Sequence, residues 1–254
     1  MASPAAHVAD VSTEEWLHKL RTKWGEVPGH VFEGRLHSRD LLALRDDQLV
    51  GRWRSVRDRD VAQWEVRGWY HALYRPLMRG ARVLDYGSGF GIDGLTWAEA
   101  GASVVFADIV PSNLDVLKRV ASALGLGQVE FVHLHDFSAL DALADASFDV
   151  LWAQGSLHNA PFSFMKREVA QVVPKLKIGG RWIQLAYPKE RWMREGAPSF
   201  DLWGAMTDGE TTPYCEWYDL GKLTALLEPH RFDRILDFNF HGDDFNWFDL
   251  VRRS

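Results

Sequence analysis

The stretch RVLDYGSGFGIDG, residues 82–94, constrains this chain more than any other. Val83 and Leu84 form a short apolar strand that ends on Asp85, Gly87, Gly89 and Gly91 space a turn, and a helix opens at Ile92. Glycines at alternate positions permit backbone conformations that side chains forbid and let a ligand approach the peptide groups. Strand, glycine turn and helix in this order hold nucleotide-like ligands at the carboxyl ends of the strands in an open α/β sheet.

From residue 81 the chain alternates strand and helix, the pattern of a parallel sheet covered on both faces. Strands are expected at 82–85, 102–108, 129–135, 148–154 and 181–188, and helices at 92–100, 112–124, 139–144 and 162–176, with the turn KIGG leading into the fifth strand. Residues 189–217, rich in Pro, Gly, Trp and charge, are too long for an ordinary connection. A helix at 219–227 and strands at 231–240 and 246–253, joined by the turn HGDD, close the chain. Ahead of the first strand, helical spacing appears at 12–24, where Ser12 offers a cap, then at 41–49 and 60–78 after a Gly/Pro break at 25–29. Residues 1–10 have the composition of a frayed end, and the charged run RWRSVRDRD alternates in sign as a solvated helix face does. With 254 residues there is room for one sizeable core. The expected division is a helical cap at 1–80 and an α/β domain at 81–254 with an insertion at about 189–217.

The register of the glycines separates two kinds of ligand. A dinucleotide turn needs G-x-G-x-x-G, and its third glycine would fall on Ile92. The turn is instead Asp-x-Gly-x-Gly-x-Gly, and it resembles the first motif of the class I S-adenosylmethionine-dependent methyltransferases. The resemblance covers residues 81–254. It implies a three-layer, Rossmann-like α/β fold with a seven-stranded, mostly parallel sheet whose last strand inserts antiparallel between the fifth and sixth. It also implies S-adenosyl-L-methionine as cofactor and S-adenosyl-L-homocysteine as product. Gly87, Ser88, Gly89 and Gly91 would then lie under the methionine part, and Asp85 would help to hold its amino group. Asp108, with Ile109 beside it, would take the ribose hydroxyls through strong charge-assisted bonds. Asp136 and Phe137 match the adenine-holding pair in type, the rival role for Asp136 being to cap the short helix that follows. Gln154 and Gly155 stand where the family keeps the residues nearest the sulfonium.

The same segment, QGSLHNAPF, lacks the Asn/Asp-Pro-Pro-aromatic motif of members that methylate DNA and protein amino groups. A net charge of -6 and a pI near 5.9 likewise argue against a nucleic-acid partner. A small-molecule acceptor is expected, oxygen ahead of nitrogen. His158 is the candidate base for an alcohol or phenol, its ordinary pKa being close to neutral. Asn159 and Tyr187 would serve a nitrogen acceptor that needs no base, and His241 falls at the same edge of the sheet. Trp192, Trp203, Tyr214 and Trp217 in the insertion suit a lid over a sugar-like or hydroxylated metabolite, and equally suit packing under the cap.

Cys215 is the only cysteine, which excludes a disulfide framework and a cysteine-based zinc site. The cluster from His241 to Asp244 has the Gly and Asp content of a hairpin turn, so no metal is expected there or elsewhere. No run of apolar residues is long enough to span a membrane, and the sequence reads as cytoplasmic. Three other functions stay open: a non-catalytic protein that binds the same cofactor, an aminopropyl transferase without a recognisable paired-Asp pattern, and a dehydrogenase disfavoured by the glycine register.

Overall fold

The computed structural model describes residues 12–27 and 36–254. The frayed end at 1–10 and part of the break at 25–29 lie outside the described residues. Seven strands form the main path of one sheet: β1 (Arg82–Tyr86), β2 (Ser103–Asp108), β3 (Val129–His133), β4 (Phe148–Gln154), β5 (Leu176–Pro188), β6 (Phe232–Phe240) and β7 (Phe245–Arg252). Their order is β3-β2-β1-β4-β5-β7-β6. The first five run parallel, while β7 pairs antiparallel with both β5 and β6. Crossing from β1 outward to β3 and then back to β4 creates a switch point beside β1, where open sheets of this kind bind ligands.

Ten helices flank the sheet among the described residues: α1 (Thr13–Trp24), α2 (Ser38–Leu42), α3 (Asp46–Ala62), α4 (Trp69–Met78), α5 (Ile92–Glu99), α6 (Pro111–Ala123), α7 (Phe162–Val172), α8 (Lys189–Arg194), α9 (Phe200–Asp208) and α10 (Leu220–Leu227). Alternation along β1 sends Leu84 and Tyr86 to one apolar core with α1, α7 and α10, and Val83 to the other with α3, α4, α5 and α6. The second core is where many tryptophans go. Tyr70 stacks on Trp247 at 4.8 Å, and Trp97 meets Trp152 edge-on at 5.1 Å. The indole of Trp247 donates to Tyr74 Oη at 3.0 Å, which in turn donates to the buried Asp249 at 2.7 Å.

Most expected elements form within a few residues of their sequence positions, and three depart from them. The helical break between 49 and 60 is absent: RWRSVRDRD lies inside α3, because Trp53 and Val56 face the core, with Arg54 exposed and Arg57 laid over the Trp53 ring. Breaks fall instead at residues 43–45, where the Arg45 amide donates to Gln48 Oε1 and caps α3, and at Gln63, where extended backbone and the π-helical turn Trp64–Gly68 interrupt the helix expected at 60–78. KIGG does not precede the fifth strand but lies within β5, at a register shift in the pairing with β4. The insertion folds into α8 and α9, and the two-residue strand Trp217–Tyr218 then pairs parallel with the end of β5. No described helix is long and apolar enough to cross a membrane.

Candidate functional site

A cavity opens at the carboxyl edge of β1, β2 and β4, the switch point of the sheet. The glycine turn forms its floor. Gly87 has φ +75, and a Cβ there would stand 2.3 Å from Ser156 Cβ, so only glycine fits where the turn meets the loop after β4. The turn is fastened to β2 by Gly87 N, which donates to Ala107 O at 2.8 Å, and by Gly89 N, which donates to Asp108 Oδ2 at 2.8 Å. Ser88 Oγ donates to Asp85 O at 2.8 Å.

Asp108 also accepts from Val110 N at 2.8 Å and from Asn113 Nδ2 at 3.3 Å. Burial pushes its carboxyl up to about 6 against the pull of those bonds. Asp85 is raised as well, by burial first and then by its neighbours Asp93 and Asp108. Two buried acids therefore stand side by side at the carboxyl ends of adjacent strands. Gln154 reaches the same cavity with both amide atoms buried and without a protein partner, and Asn159 Oδ1 is unpartnered too. Buried polar atoms in this state call for a ligand or solvent to complete them.

Arg67 and Asp93 complete a wall that the sequence reading did not anticipate. Asp93, in the first turn of α5, accepts from Arg67 Nη1 at 2.7 Å, from Trp152 Nε1 at 3.2 Å, and lies 2.8 Å from His71 Nε2. Burial raises its carboxyl, but Arg67 and His71 outweigh that and hold it well below the usual carboxylate range. The opposite wall is α1, through Leu17, Leu20 and Trp24. Arg21 anchors this helix across two strand ends: Nε donates to Ile109 O at 3.2 Å, and Nη2 donates to Leu134 O at 3.2 Å and to His135 O. No local pattern ties Arg21 or Arg67 to residues so far along the chain.

Of the candidate residues, Asp85, Gly87, Ser88, Gly89, Gly91, Asp108, Ile109, Gln154, Gly155 and Asn159 all line the cavity. Five others do not. Asp136 accepts from Ser138 N at 2.8 Å and caps the turn Phe137–Ala142. Phe137 packs on Phe164 at 5.2 Å in the core below. His158 is 1% exposed, and its ring lies 4.8 Å from that of Tyr187; burial pushes the imidazole down to about 4. Tyr187 turns the same way and donates to Asp208 Oδ1 at 2.9 Å. His241 stands in the final hairpin with φ +55, beside Phe245 and 3.5 Å from Asp244, as turn geometry requires. The insertion's aromatics mostly pack: Trp203 is buried with Tyr187 and Cys215, and Tyr214 meets Trp16 of α1 at 5.8 Å.

Residues 83–180 match a methyltransferase domain family. No curated protein sequence matches the chain. Among solved structures, the Burkholderia thailandensis 1,6-didemethyltoxoflavin-N1-methyltransferase, with 1,6-didemethyltoxoflavin and S-adenosylhomocysteine bound, is similar over 86% of this chain and 92% of its own, with 21% identity and a TM-score of 0.54. A SAM-dependent methyltransferase from Methanosarcina mazei is similar over 72% of this chain and 96% of its own, with 19% identity and a TM-score of 0.54. A putative methyltransferase in complex with the Haloferax volcanii Trm112 activator is similar over 82% and 96%, with 16% identity and a TM-score of 0.55. At these identities the likeness to each is one of fold.

Proposed function

We propose, for a chain that belongs through its methyltransferase domain at residues 83–180 to the class I S-adenosylmethionine-dependent methyltransferases, that it methylates a small molecule in the cavity at the β1 switch point. The observation that carries this reading is the charge of the cavity wall. Among the described residues six acidic side chains (Glu26, Asp60, Asp85, Asp93, Asp108 and Glu168) line it against one guanidinium, that of Arg67. Burial favours the protonated form of Glu168 and Asp85, but Asp93 stays ionised and Arg67 is already paired with it, so no free cation among these residues lines the wall to take a phosphate. A ligand with a sulfonium and an ammonium group against a single carboxylate is net positive and suits such a wall. The pyrophosphate of a dinucleotide does not.

S-adenosylmethionine supplies a methyl carbon already activated by positive sulfur. The protein's part is binding, alignment and proton management. Asp108 receives the ribose hydroxyls beside the Gly89 amide that it already holds, and Asp85 with the Gln154 amide meets the amino-acid end. Arg67, paired with Asp93 and the only cation lining the cavity among the described residues, faces the carboxylate. Leu17, Leu20 and Trp24 exclude water from the opposite side.

Asn159 lines the cavity with its Oδ1 buried and unpartnered, while its Nδ2 donates to Tyr214 O at 3.3 Å. That oxygen accepts a hydrogen bond from an O–H or an N–H alike. The preference for an oxygen acceptor rests on His158 as base, and with that ring outside the cavity the proposal extends to nitrogen and oxygen acceptors equally. Calorimetric titration with S-adenosylmethionine, S-adenosylhomocysteine and NAD tests the reading. Micromolar binding of both sulfur ligands, about -8 kcal/mol, without NAD binding supports it. NAD binding in their place overturns it. Methyl transfer to a panel of hydroxylated and heteroaromatic acceptors then separates an enzyme from a protein that only binds the cofactor.

A further inference from the structure

His158, Asp208 and Cys215 come from three separate places: the loop after β4, the last residue of α9, and the segment before the strand Trp217–Tyr218. One ligand atom from each lies within 4.8 Å of the other two. His158 is 1% exposed with Nδ1 unpartnered, and Cys215 is fully buried. We propose that these three side chains bind one divalent cation of borderline softness, of the Zn²⁺ class, which fastens the insertion to the carboxyl edge of the sheet.

The donor set favours such an ion. Imidazole nitrogen, thiolate sulfur and carboxylate oxygen are the three ligand types of tetrahedral zinc, whereas calcium and magnesium take oxygen alone. A neutral imidazole, a thiolate and a carboxylate together cancel the charge of a divalent ion, so the buried assembly carries no net charge. Binding requires Cys215 to release its thiol proton to solvent as the metal–sulfur bond forms; no oxidant or reductant takes part. Tyr187 Oη donates to Asp208 Oδ1 at 2.9 Å and orients the carboxylate, as outer partners of metal ligands do. Arg191, stacked on Tyr187 at 4.6 Å, is balanced by Glu195 at 3.0 Å. Three protein ligands leave a fourth position for water or another small ligand.

The sequence points away from metal because one cysteine cannot build a multi-cysteine site and the His241 cluster is a turn. A mixed set gathered from distant segments escapes that reasoning. The full chain, purified from zinc-supplemented culture and dialysed without chelator, is to be analysed for bound metal by mass spectrometry. About one equivalent of zinc is expected, falling at least tenfold in Cys215→Ala and in Asp208→Asn. Binding of S-adenosylhomocysteine and circular dichroism check that the variants are folded. Cobalt loaded into the chelator-stripped wild type should show a thiolate-to-metal charge-transfer band, a signature that needs no variant. Wild type without stoichiometric zinc after dialysis against it, zinc content unchanged in both variants, or cobalt without the thiolate band would each overturn the proposal. None of these results depends on whether methyl transfer is found.

Discussion

Asp108 Oδ2 accepts the Gly89 amide at 2.8 Å, so the acid that ends β2 also fixes the shape of the glycine turn after β1. The side chain proposed to bind the ribose thus positions the loop that lies under the rest of the cofactor. Asp108→Ala is expected to lower affinity for S-adenosylhomocysteine by roughly 10- to 100-fold, the range for losing charge-assisted bonds worth about 1.5–3 kcal/mol. Calorimetry that finds wild-type affinity in this variant would remove Asp108 from the site.

Arg67 stands 2.7 Å from the Oδ2 atom of Asp93, whose side chain is 5% exposed. Arg67→Met leaves that carboxylate with His71 and Trp152 but without its main countercharge, and should cost about 3 kcal/mol of stability. Arg67→Lys restores charge without the two-pronged geometry and should recover only part. Denaturant unfolding measures both losses. Equal stability of all three proteins would show that the pair contributes nothing.

Arg21 closes α1 over the cavity through three backbone carbonyls. Arg21→Ala should leave the sheet intact and loosen the helix, so that amides in residues 13–24 exchange hydrogen faster while those of β1 and β4 stay protected. Unchanged exchange in α1 would mean that Leu17, Leu20 and the rings around Trp16 hold it without the clamp.

Glu168 accepts from Tyr86 Oη at 2.6 Å, and burial pushes its carboxyl up to about 7 from an ordinary 4.5. The folded state therefore favours the protonated acid. The stability this contributes is full below about pH 4.5 and is lost as the pH rises through 7. Relative to Glu168→Gln, which stays neutral, wild type should lose about 2–3 kcal/mol across that interval. Urea unfolding at a series of pH values gives the difference directly, and a pH-independent gap between the two proteins would refute the assignment. His158, held neutral by burial down to about 4, works in the opposite direction in both proteins and cancels in the comparison.

Gly87→Ala forces a side chain into φ +75 and into contact with Ser156 at 2.3 Å. The backbone conformation alone costs about 1–2 kcal/mol, and the displaced loop after β4 carries Gln154 and Asn159 with it. Cofactor binding should fall more steeply than the melting temperature. A variant that binds normally would show that the turn tolerates rearrangement.

The strand and helix pattern, the glycine turn and the acids ending β1 and β2 were legible in the sequence because each is a local relation. Apolar runs, alternate glycines and strand-end carboxylates fix their own neighbourhoods, and the order of strands and helices fixes the sheet. Asp136 and His158 could not be placed in that way. Each lies just past a strand at the binding edge, but one turns back to cap its own helix and the other turns into the insertion beside Tyr187. Sequence position gives a residue its edge of the sheet, whereas the direction of its side chain depends on which partners arrive from elsewhere. The same holds for Arg21, Arg67 and the trio His158, Asp208 and Cys215. Arg21 and Arg67 bond to residues 26 to 114 positions further along, and His158 lies 50 residues before Asp208, so only the packing of α1, the turn ahead of α4 and the insertion against the sheet brings them together.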